Sequence, residues 1–224
     1  MGYKQLLTGM VNSLLPLLAF SAMACGQQSS MRPETEDRPL QDRIVFMERA
    51  ERDVWQKPDR VIKALNLKNH DVVADIGAGT GYFTVRIAHM TPAGRVFAVD
   101  IEPDMIQHLA VRARRENLQN VTPLLAEPSD PMLPAPVDLA LLVDTYHHIG
   151  DRVAYFRRLK VHLKPAGTVA IIDFTADSPI GPPAAGRVAP DEVKKEMSRA
   201  GYALASEHKF LPNQFFLVFR QRAE

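Results

Sequence analysis

Glycines and acids at fixed spacing are the residues of this chain that point most directly to chemistry. Residues 75–81 read Asp-Ile-Gly-Ala-Gly-Thr-Gly and continue an apolar run at residues 72–76. Glycines where a strand turns into a helix allow a tight turn and let a ligand approach the backbone, because no Cβ stands in the way. The pattern predicts a ligand-binding loop with the candidate residues Asp75, Gly77, Gly79 and Gly81.

Asp100 is the second element of this pattern, because it ends the next apolar strand, 23 residues after Gly77. In doubly wound folds an acid at this place accepts hydrogen bonds from ribose hydroxyls. A nicotinamide-binding fingerprint has its third glycine where this chain has Tyr82, which argues against a nicotinamide-dependent reductase. The spacing therefore predicts a different ligand that contains a nucleoside.

The remaining sequence supplies the elements that must position this loop and this acid. Between residues 72 and 174, apolar strands alternate with helical segments of roughly 10–15 residues, which predicts parallel strands joined by right-handed crossovers. The segments 202–210 and 214–220 predict a closing antiparallel hairpin. We therefore expect an α/β fold with a doubly wound, mostly parallel seven-stranded sheet, Rossmann-like, and a C-terminal antiparallel hairpin.

Segments beside the strands refine this prediction. Residues 40–67 predict N-terminal helices that lie over the site. Residues 127–136 contain four prolines, so we expect a loop with little helix there. The Pro-Ala-Gly sequence at residues 165–167 predicts a turn before a strand over residues 168–174.

The D-x-G-x-G-x-G loop with Asp100 downstream resembles the class I S-adenosylmethionine-dependent methyltransferases, over about residues 58–220. The resemblance implies that the cofactor is S-adenosylmethionine, with the glycine loop against its amino acid part and Asp100 on its ribose. It also implies that Asp75 orders the glycine loop or reaches the cofactor ammonium. For the adenine it implies contacts from Ile101 and from Glu127 or Asp130.

The segment after the fourth strand, residues 144–148, is expected to face the transferred methyl group, because ligands bind outside the carboxyl ends of the strands. His147 is a candidate catalytic base, since an unperturbed histidine has a pKa of about 6.5. His148 is a second candidate, and packing or helix capping is the alternative role for either histidine. Asp144 is expected to hold the cofactor ammonium or to orient a substrate.

The acceptor side is predicted from fewer signals. The predicted substrate contacts are Trp55, Tyr146 and Asp173, and docking of its helix against the domain is the alternative role of Trp55. We expect no metal site, because no wider cluster of ligands accompanies the two histidines. The resemblance argues against arsenite as the acceptor, because its methylation in related enzymes uses several cysteines and this chain has only Cys25. It also argues against amino groups of nucleic acid and protein, because their methylators carry an Asn/Asp-Pro-Pro-Tyr signature that residues 144–148 lack. A small or lipid-like acceptor remains.

Charge supports this choice of partner. The chain carries 27 basic and 26 acidic side chains, a formal net charge of +1. Nucleic acid binding depends on a surplus of Lys and Arg, so nucleic acid is not expected as the main partner. A membrane contact is expected only through the N-terminus.

Residues 1–25 form a targeting pattern, with Lys4 before an uncharged, largely apolar stretch that ends in Ala-Met-Ala at residues 22–24. Cys25, the only cysteine, follows directly and resembles the lipidated cysteine of bacterial lipoproteins, although Ala22 replaces the usual leucine. We therefore expect a signal at residues 1–25, a linker at 26–39 and the methyltransferase domain at 40–224.

Two alternatives stay open for this segment, simple secretion after Ala24 or an uncleaved membrane anchor. A third is that translation starts at Met23 or Met31, which would leave a cytoplasmic enzyme instead of an exported, periplasmic or membrane-anchored one. The leader also favours a second function, because S-adenosylmethionine is made in the cytosol. In that case the protein is a non-catalytic exported lipoprotein, which uses the same fold to bind a nucleoside or lipid.

Overall fold

The computed structural model describes residues 38–222. The predictions for Cys25, the leader and most of the linker lie outside the described residues. Between Arg38 and Arg222, every helix is too short or too polar to cross a membrane.

One sheet of seven strands organises these residues, in the order β3-β2-β1-β4-β5-β7-β6. β1 to β5 pair in parallel, and β7 runs antiparallel to both β5 and β6. This arrangement confirms the predicted doubly wound sheet and its closing hairpin. The strands are β1 (Val72–Ile76), β2 (Arg95–Asp100), β3 (Val121–Leu125), β4 (Val137–Val143), β5 (Leu163–Phe174), β6 (Tyr202–His208) and β7 (Gln214–Gln221).

Helices cover both faces of the sheet. β4 shows why: Ala140 and Leu142 pack on the face covered by α6 (Arg152–Leu159) and α7 (Pro190–Arg199). Leu139 and Leu141 pack on the face covered by α3 (Pro58–Leu65) and α4 (Tyr82–Met90). A strand buried on both faces is expected to be apolar, as β4 is from Leu139 to Val143. The helices are α1 (Leu40–Met47), α2 (Glu51–Gln56), α3 (Pro58–Leu65), α4 (Tyr82–Met90), α5 (Pro103–Arg115), α6 (Arg152–Leu159) and α7 (Pro190–Arg199).

The expected turn at residues 165–167 is a bulge inside β5. The register between β4 and β5 passes from Val137 opposite Leu163 to Leu139 opposite Thr168, so the extra residues protrude from the ladder. Gly167 permits this, since a Cβ there would lie 2.9 Å from the carbonyl oxygen of Val137. The proline and glycine interrupt regular pairing without ending the strand.

The fold brings the carboxyl ends of β1, β2, β4 and β5 to one edge of the sheet. The strand order reverses between β1 and β4, which is the place where doubly wound folds bind ligands. The proline-rich segment between β3 and β4 contains no helix, as expected. Its regular pairing is limited to an isolated antiparallel β-bridge between Glu127 and Asp130.

Candidate functional site

The glycine loop joins β1 to α4 and has a backbone that side chains would not tolerate. Gly77, Gly79 and Gly81 all have positive φ, at +73°, +54° and +89°. A Cβ on Gly77 would lie 2.2 Å from Oγ1 of Thr145, the second residue beyond β4. Glycine is therefore needed both for the conformation and for the contact between the loop and the end of β4.

Asp100 lies at the end of β2, across from this loop. Its side chain is largely buried, with 8% of the residue exposed. Oδ2 accepts a hydrogen bond from the Gly79 N–H at 2.8 Å, and Oδ1 accepts one from the Glu102 N–H at 3.1 Å. Burial raises the pKa of Asp100, and the two N–H donors oppose that shift. A carboxylate has about four acceptor positions, so Asp100 can still receive a ribose diol.

Asp75 lies in β1, two residues before Gly77, and is buried, with 3% of the residue exposed. Its Oδ2 accepts a 2.6 Å hydrogen bond from the hydroxyl of Thr84 in α4. Burial raises the pKa of Asp75 to about 6. Of the two predicted roles, this contact favours ordering of the loop, since it fixes the helix into which the loop leads.

Asp144 is the first residue beyond β4 and has a left-handed backbone, with φ of +55°. Gln56 donates to its Oδ2 at 3.1 Å, Gln214 donates to its Oδ1, and the guanidinium of Arg52 lies 3.7 Å away. Burial raises the pKa of Asp144 to about 6, although Arg52 opposes the shift. Sequence reasoning missed Gln56 and Gln214, which lie 88 and 70 residues away in the chain.

His147 and Asp173 form a hydrogen-bonded pair next to Asp144. The Nδ1 of His147 lies 2.9 Å from both carboxylate oxygens of Asp173, and the backbone N–H of His147 donates to the same carboxylate at 3.1 Å. Asp173 also accepts from the Phe174 N–H at 2.8 Å. The carboxylate therefore fixes the proton on Nδ1 and leaves Nε2 without a hydrogen-bond partner among residues 38–222. Asp173, predicted as a substrate contact, instead orients His147.

Tyr146 lies in the core and is not exposed, which corrects its assignment as a substrate residue. The residue is fully buried in the core, stacked on Phe156, and its hydroxyl donates to Glu196 at 2.6 Å. Residues 146–148 form a single 3₁₀ turn, so adjacent side chains point in different directions. Tyr146 consequently packs inward, whereas His147 faces Asp173.

The other predicted residues occupy the rim of the site. Ile101 is 52% exposed directly after Asp100, and Glu127 is exposed in the proline-rich loop. His148 is exposed, with its ring 4.1 Å from that of His147. Trp55 of α2 is half-buried, and its ring lies 5.8 Å from that of Phe174 at the end of β5. The carboxylate of Asp130, the alternative to Glu127, accepts from the Met132 N–H of its own loop.

The N-terminal helices lie against the glycine loop. Sδ of Met47 would lie 3.3 Å from a Cβ on Gly79. Glu48 accepts a hydrogen bond from the Thr80 hydroxyl and pairs with Arg112 of α5 at 2.7 Å. α1 therefore forms a second wall opposite the ends of β1 and β2.

The charge of the site favours a cationic ligand. Four acids lie at the ends of the parallel strands, three of them buried and Asp144 partly exposed; they are Asp75, Asp100, Asp144 and Asp173. They outnumber the arginines beside the site, Arg43, Arg52 and Arg112. Such acids are stabilised by a positive charge placed among them.

No group of three or more potential metal ligands occurs within the described part of the chain.

Comparison with known proteins places this site in a family context. A family described as a methyltransferase domain matches residues 67–211. The (S)-coclaurine N-methyltransferase of Thalictrum flavum subsp. glaucum is 27% identical over 105 residues, which are 47% of this chain and 29% of that protein. A tRNA U34 carboxymethyltransferase of Desulfotalea psychrophila is 30% identical over 120 residues, 52% of this chain and 36% of that protein. The chain thus spans about a third of the length of these curated relatives.

Solved structures establish the fold independently. A SAM dependent methyltransferase from Aquifex aeolicus superimposes with a TM-score of 0.75 at 24% identity, over 81% of this chain and 98% of that one.

Replacing Asp100 with Asn tests its assignment to the ribose. We expect the variant to bind S-adenosylmethionine, the cofactor predicted from the sequence, about 1.5–3 kcal/mol more weakly, because charge-assisted hydrogen bonds are lost. Calorimetric titration measures the change, and Asp104→Asn on the exposed face of α5 is the matched control. Equal affinity of Asp100→Asn and the wild type would contradict the assignment.

The raised pKa values of Asp75 and Asp144, both about 6, predict a pH-dependent preference between ligands. Below that pH both carboxyl groups become neutral, so the site attracts cations less. We expect the preference for S-adenosylmethionine over S-adenosylhomocysteine, which lacks the sulfonium charge, to fall as the pH drops through about 6. Calorimetry with both ligands measures the ratio of affinities, and Asp144→Asn should flatten its pH dependence. A ratio independent of pH would refute this account.

Proposed function

Because the chain belongs to the methyltransferase domain family, we propose that it transfers a methyl group from S-adenosylmethionine to a small or lipid-like acceptor. The observation that supports catalysis, as opposed to binding alone, is the orientation of His147 by Asp173 at the carboxyl end of β4. Binding a nucleoside does not require an imidazole held in one tautomer at the end of β4, whereas proton removal from an acceptor does.

S-adenosylmethionine is the cofactor of this domain, in agreement with the expectation from the glycine loop and Asp100. The residues present fit it: Asp100 has free acceptor positions for the ribose, the glycine loop has no side chain at three of its positions, and Asp144 places a negative charge where the ammonium is expected. When bound, the cofactor supplies an electrophilic methyl group on a positively charged sulfur.

His147 supplies the base that a hydroxyl or ammonium acceptor requires. Its Nδ1–H donates to Asp173, so the lone pair of Nε2 is available to take the acceptor proton. Asp173 stabilises the imidazolium that results, because its carboxylate lies 2.9 Å from Nδ1. Three N–H groups, two of them from the backbone, hold the carboxylate in place, so the pair is oriented before an acceptor binds.

Aromatic and loop residues around the end of β5 are the proposed acceptor side of the site. Trp55 and Phe174 form an apolar wall, and a Cβ on Gly181 would lie 2.6 Å from the Phe174 ring, so the loop after β5 packs directly on that wall. Arg187 holds this loop by donating to carbonyl oxygens at 2.7–3.2 Å, those of Thr175, Ala176, Ser178, Ile180 and Pro182. A fixed, partly apolar wall favours a small or lipid-like acceptor.

The near-neutral charge of the chain supports the same acceptor class over nucleic acid. Two relatives are named for tRNA substrates, so an RNA acceptor is the alternative that an acceptor screen must include. Transfer of label from methyl-labelled S-adenosylmethionine to small phenols, amines, quinols, phospholipids and tRNA separates these classes. Cofactor binding without transfer to any class would favour the non-catalytic binding protein instead.

For residence, we propose export and membrane anchoring through a lipidated Cys25. The support is the position of the only cysteine directly after the apolar stretch and the Ala-Met-Ala sequence. A start at Met23 or Met31 is the competing proposal, and it would supply the enzyme with cytosolic cofactor.

Replacing His147 with Gln tests the proposed base. With an acceptor identified by the screen, we expect kcat to fall about 10²–10⁴-fold, the typical contribution of a positioned base, with the Kd for S-adenosylmethionine unchanged. Asp173→Asn should show a similar fall, because the imidazole loses its charged partner. His70→Gln, at an exposed position, is the control. Wild-type kcat in His147→Gln would eliminate the base.

Replacing Cys25 with Ser tests the proposed anchor. We expect the full chain to sediment with membranes and the variant to be released from them, since the thiol that carries the lipid is missing. Mass spectrometry of the mature N-terminus provides the second measurement. A protein that starts at Met23 or Met31, or a variant with unchanged fractionation, would contradict lipidation and support the competing start.

A further inference from the structure

We infer that Arg43 of α1 is a nucleoside-contacting residue, whose Nε–H donates a hydrogen bond to the ribose or adenine of the bound cofactor. This inference rests on the proposed function only for the identity of the ligand. Neither the family pattern nor the glycine loop assigns a role to this arginine.

The first observation is a buried donor without an acceptor. Arg43 is 9% exposed, and its Nη2 pairs with Glu102 at 2.5 Å. Its Nε is buried and has no hydrogen-bond partner among residues 38–222. Buried N–H groups are almost always satisfied in native proteins, because leaving one unpaired forfeits its hydration. An acceptor that arrives with a ligand would satisfy it.

The second observation places Arg43 at the nucleoside end of the cleft. Glu102, its ion-pair partner, is the second residue after Asp100, and the Glu102 N–H donates to Asp100 Oδ1 at 3.1 Å. The guanidinium is therefore attached to the same short segment that carries the ribose acid. Exposed Ile101, the predicted adenine contact, lies between the two acids in the sequence.

The third observation gives the direction in which this face of α1 points. Met47 is one helical turn after Arg43 and therefore lies on the same face. Sδ of Met47 lies over Gly79, whose N–H donates to Asp100 at 2.8 Å. The face carrying both side chains thus runs along the loop and the acid that bind the nucleoside.

The shape of arginine explains why this residue serves here. The guanidinium has five N–H donors in a fixed plane, so one edge can pair with Glu102 while Nε–H points elsewhere. Ribose hydroxyl oxygens and adenine ring nitrogens are hydrogen-bond acceptors, which the Nε–H of Arg43 lacks among residues 38–222. A lysine would keep the ion pair with Glu102 but would have no second donor in that plane.

Arg43→Lys tests the inference, because it preserves the charge and the pairing with Glu102. Calorimetric titration of the full chain is made with S-adenosylmethionine, S-adenosylhomocysteine and 5′-methylthioadenosine, which has the nucleoside but lacks the amino acid part. We expect Kd to rise roughly tenfold or more for all three ligands, as for the loss of a hydrogen bond to a charged donor. Arg38→Lys, at an exposed position before α1, should leave every Kd unchanged.

Glu102→Gln separates the contribution of the Arg43 Nε–H donor from that of the ion pair, since it removes the ion pair and leaves Arg43 intact. We expect a smaller loss of affinity in this variant than in Arg43→Lys. Unchanged Kd values in Arg43→Lys would overturn the inference, as would a loss restricted to the two ligands that contain the amino acid part. Failure of the wild-type chain to bind any of the three ligands would refute the proposed cofactor itself, which is a distinct result.

Discussion

The close approach of Gly77 to Thr145 is the contact on which the rest of the site depends. β1 and β4 are neighbours in the sheet, so the backbone leaving β1 passes directly against the residues leaving β4. Only a residue without a Cβ can occupy that point. The cofactor loop and the segment that carries Asp144 and His147 are thereby held side by side, and a ligand on one necessarily faces the other.

The second property of the site is a surplus of buried negative charge. Asp75 and Asp144 each have a pKa raised to about 6 by burial, and Arg52 is the cation placed nearest to them. Burying carboxylates with so little compensation is unfavourable for folding. The same arrangement favours a ligand that carries positive charge on its sulfur and its amino group.

Long-range contacts connect the acids to the rest of the domain. Gln56 on α2 and Gln214 on β7 meet at Asp144, which joins the N-terminal helices, the parallel part of the sheet and the closing hairpin in one hydrogen-bonded group. Movement of α2 would therefore change the hydrogen bonding of Asp144 at the end of β4. On the other side of the site, the Arg43–Glu102 pair ties α1 to the end of β2. The N-terminal helices are thus part of the site and contribute buried polar side chains to it.

The sequence by itself determined the elements whose patterns are local. The alternation of apolar strands with helices, the glycine loop and the acid ending β2 all follow from residues close together in the chain, so the doubly wound sheet and the cofactor could be predicted from them. Only the tertiary structure decided which distant side chains meet. Asp173 was assigned to an acceptor and orients His147, and Tyr146 was assigned to the site and packs in the core. Gln56, Gln214 and Arg43 carried no signal, because the contacts that place them in the site join residues at least 59 positions apart, and pairing across such separations leaves no local pattern.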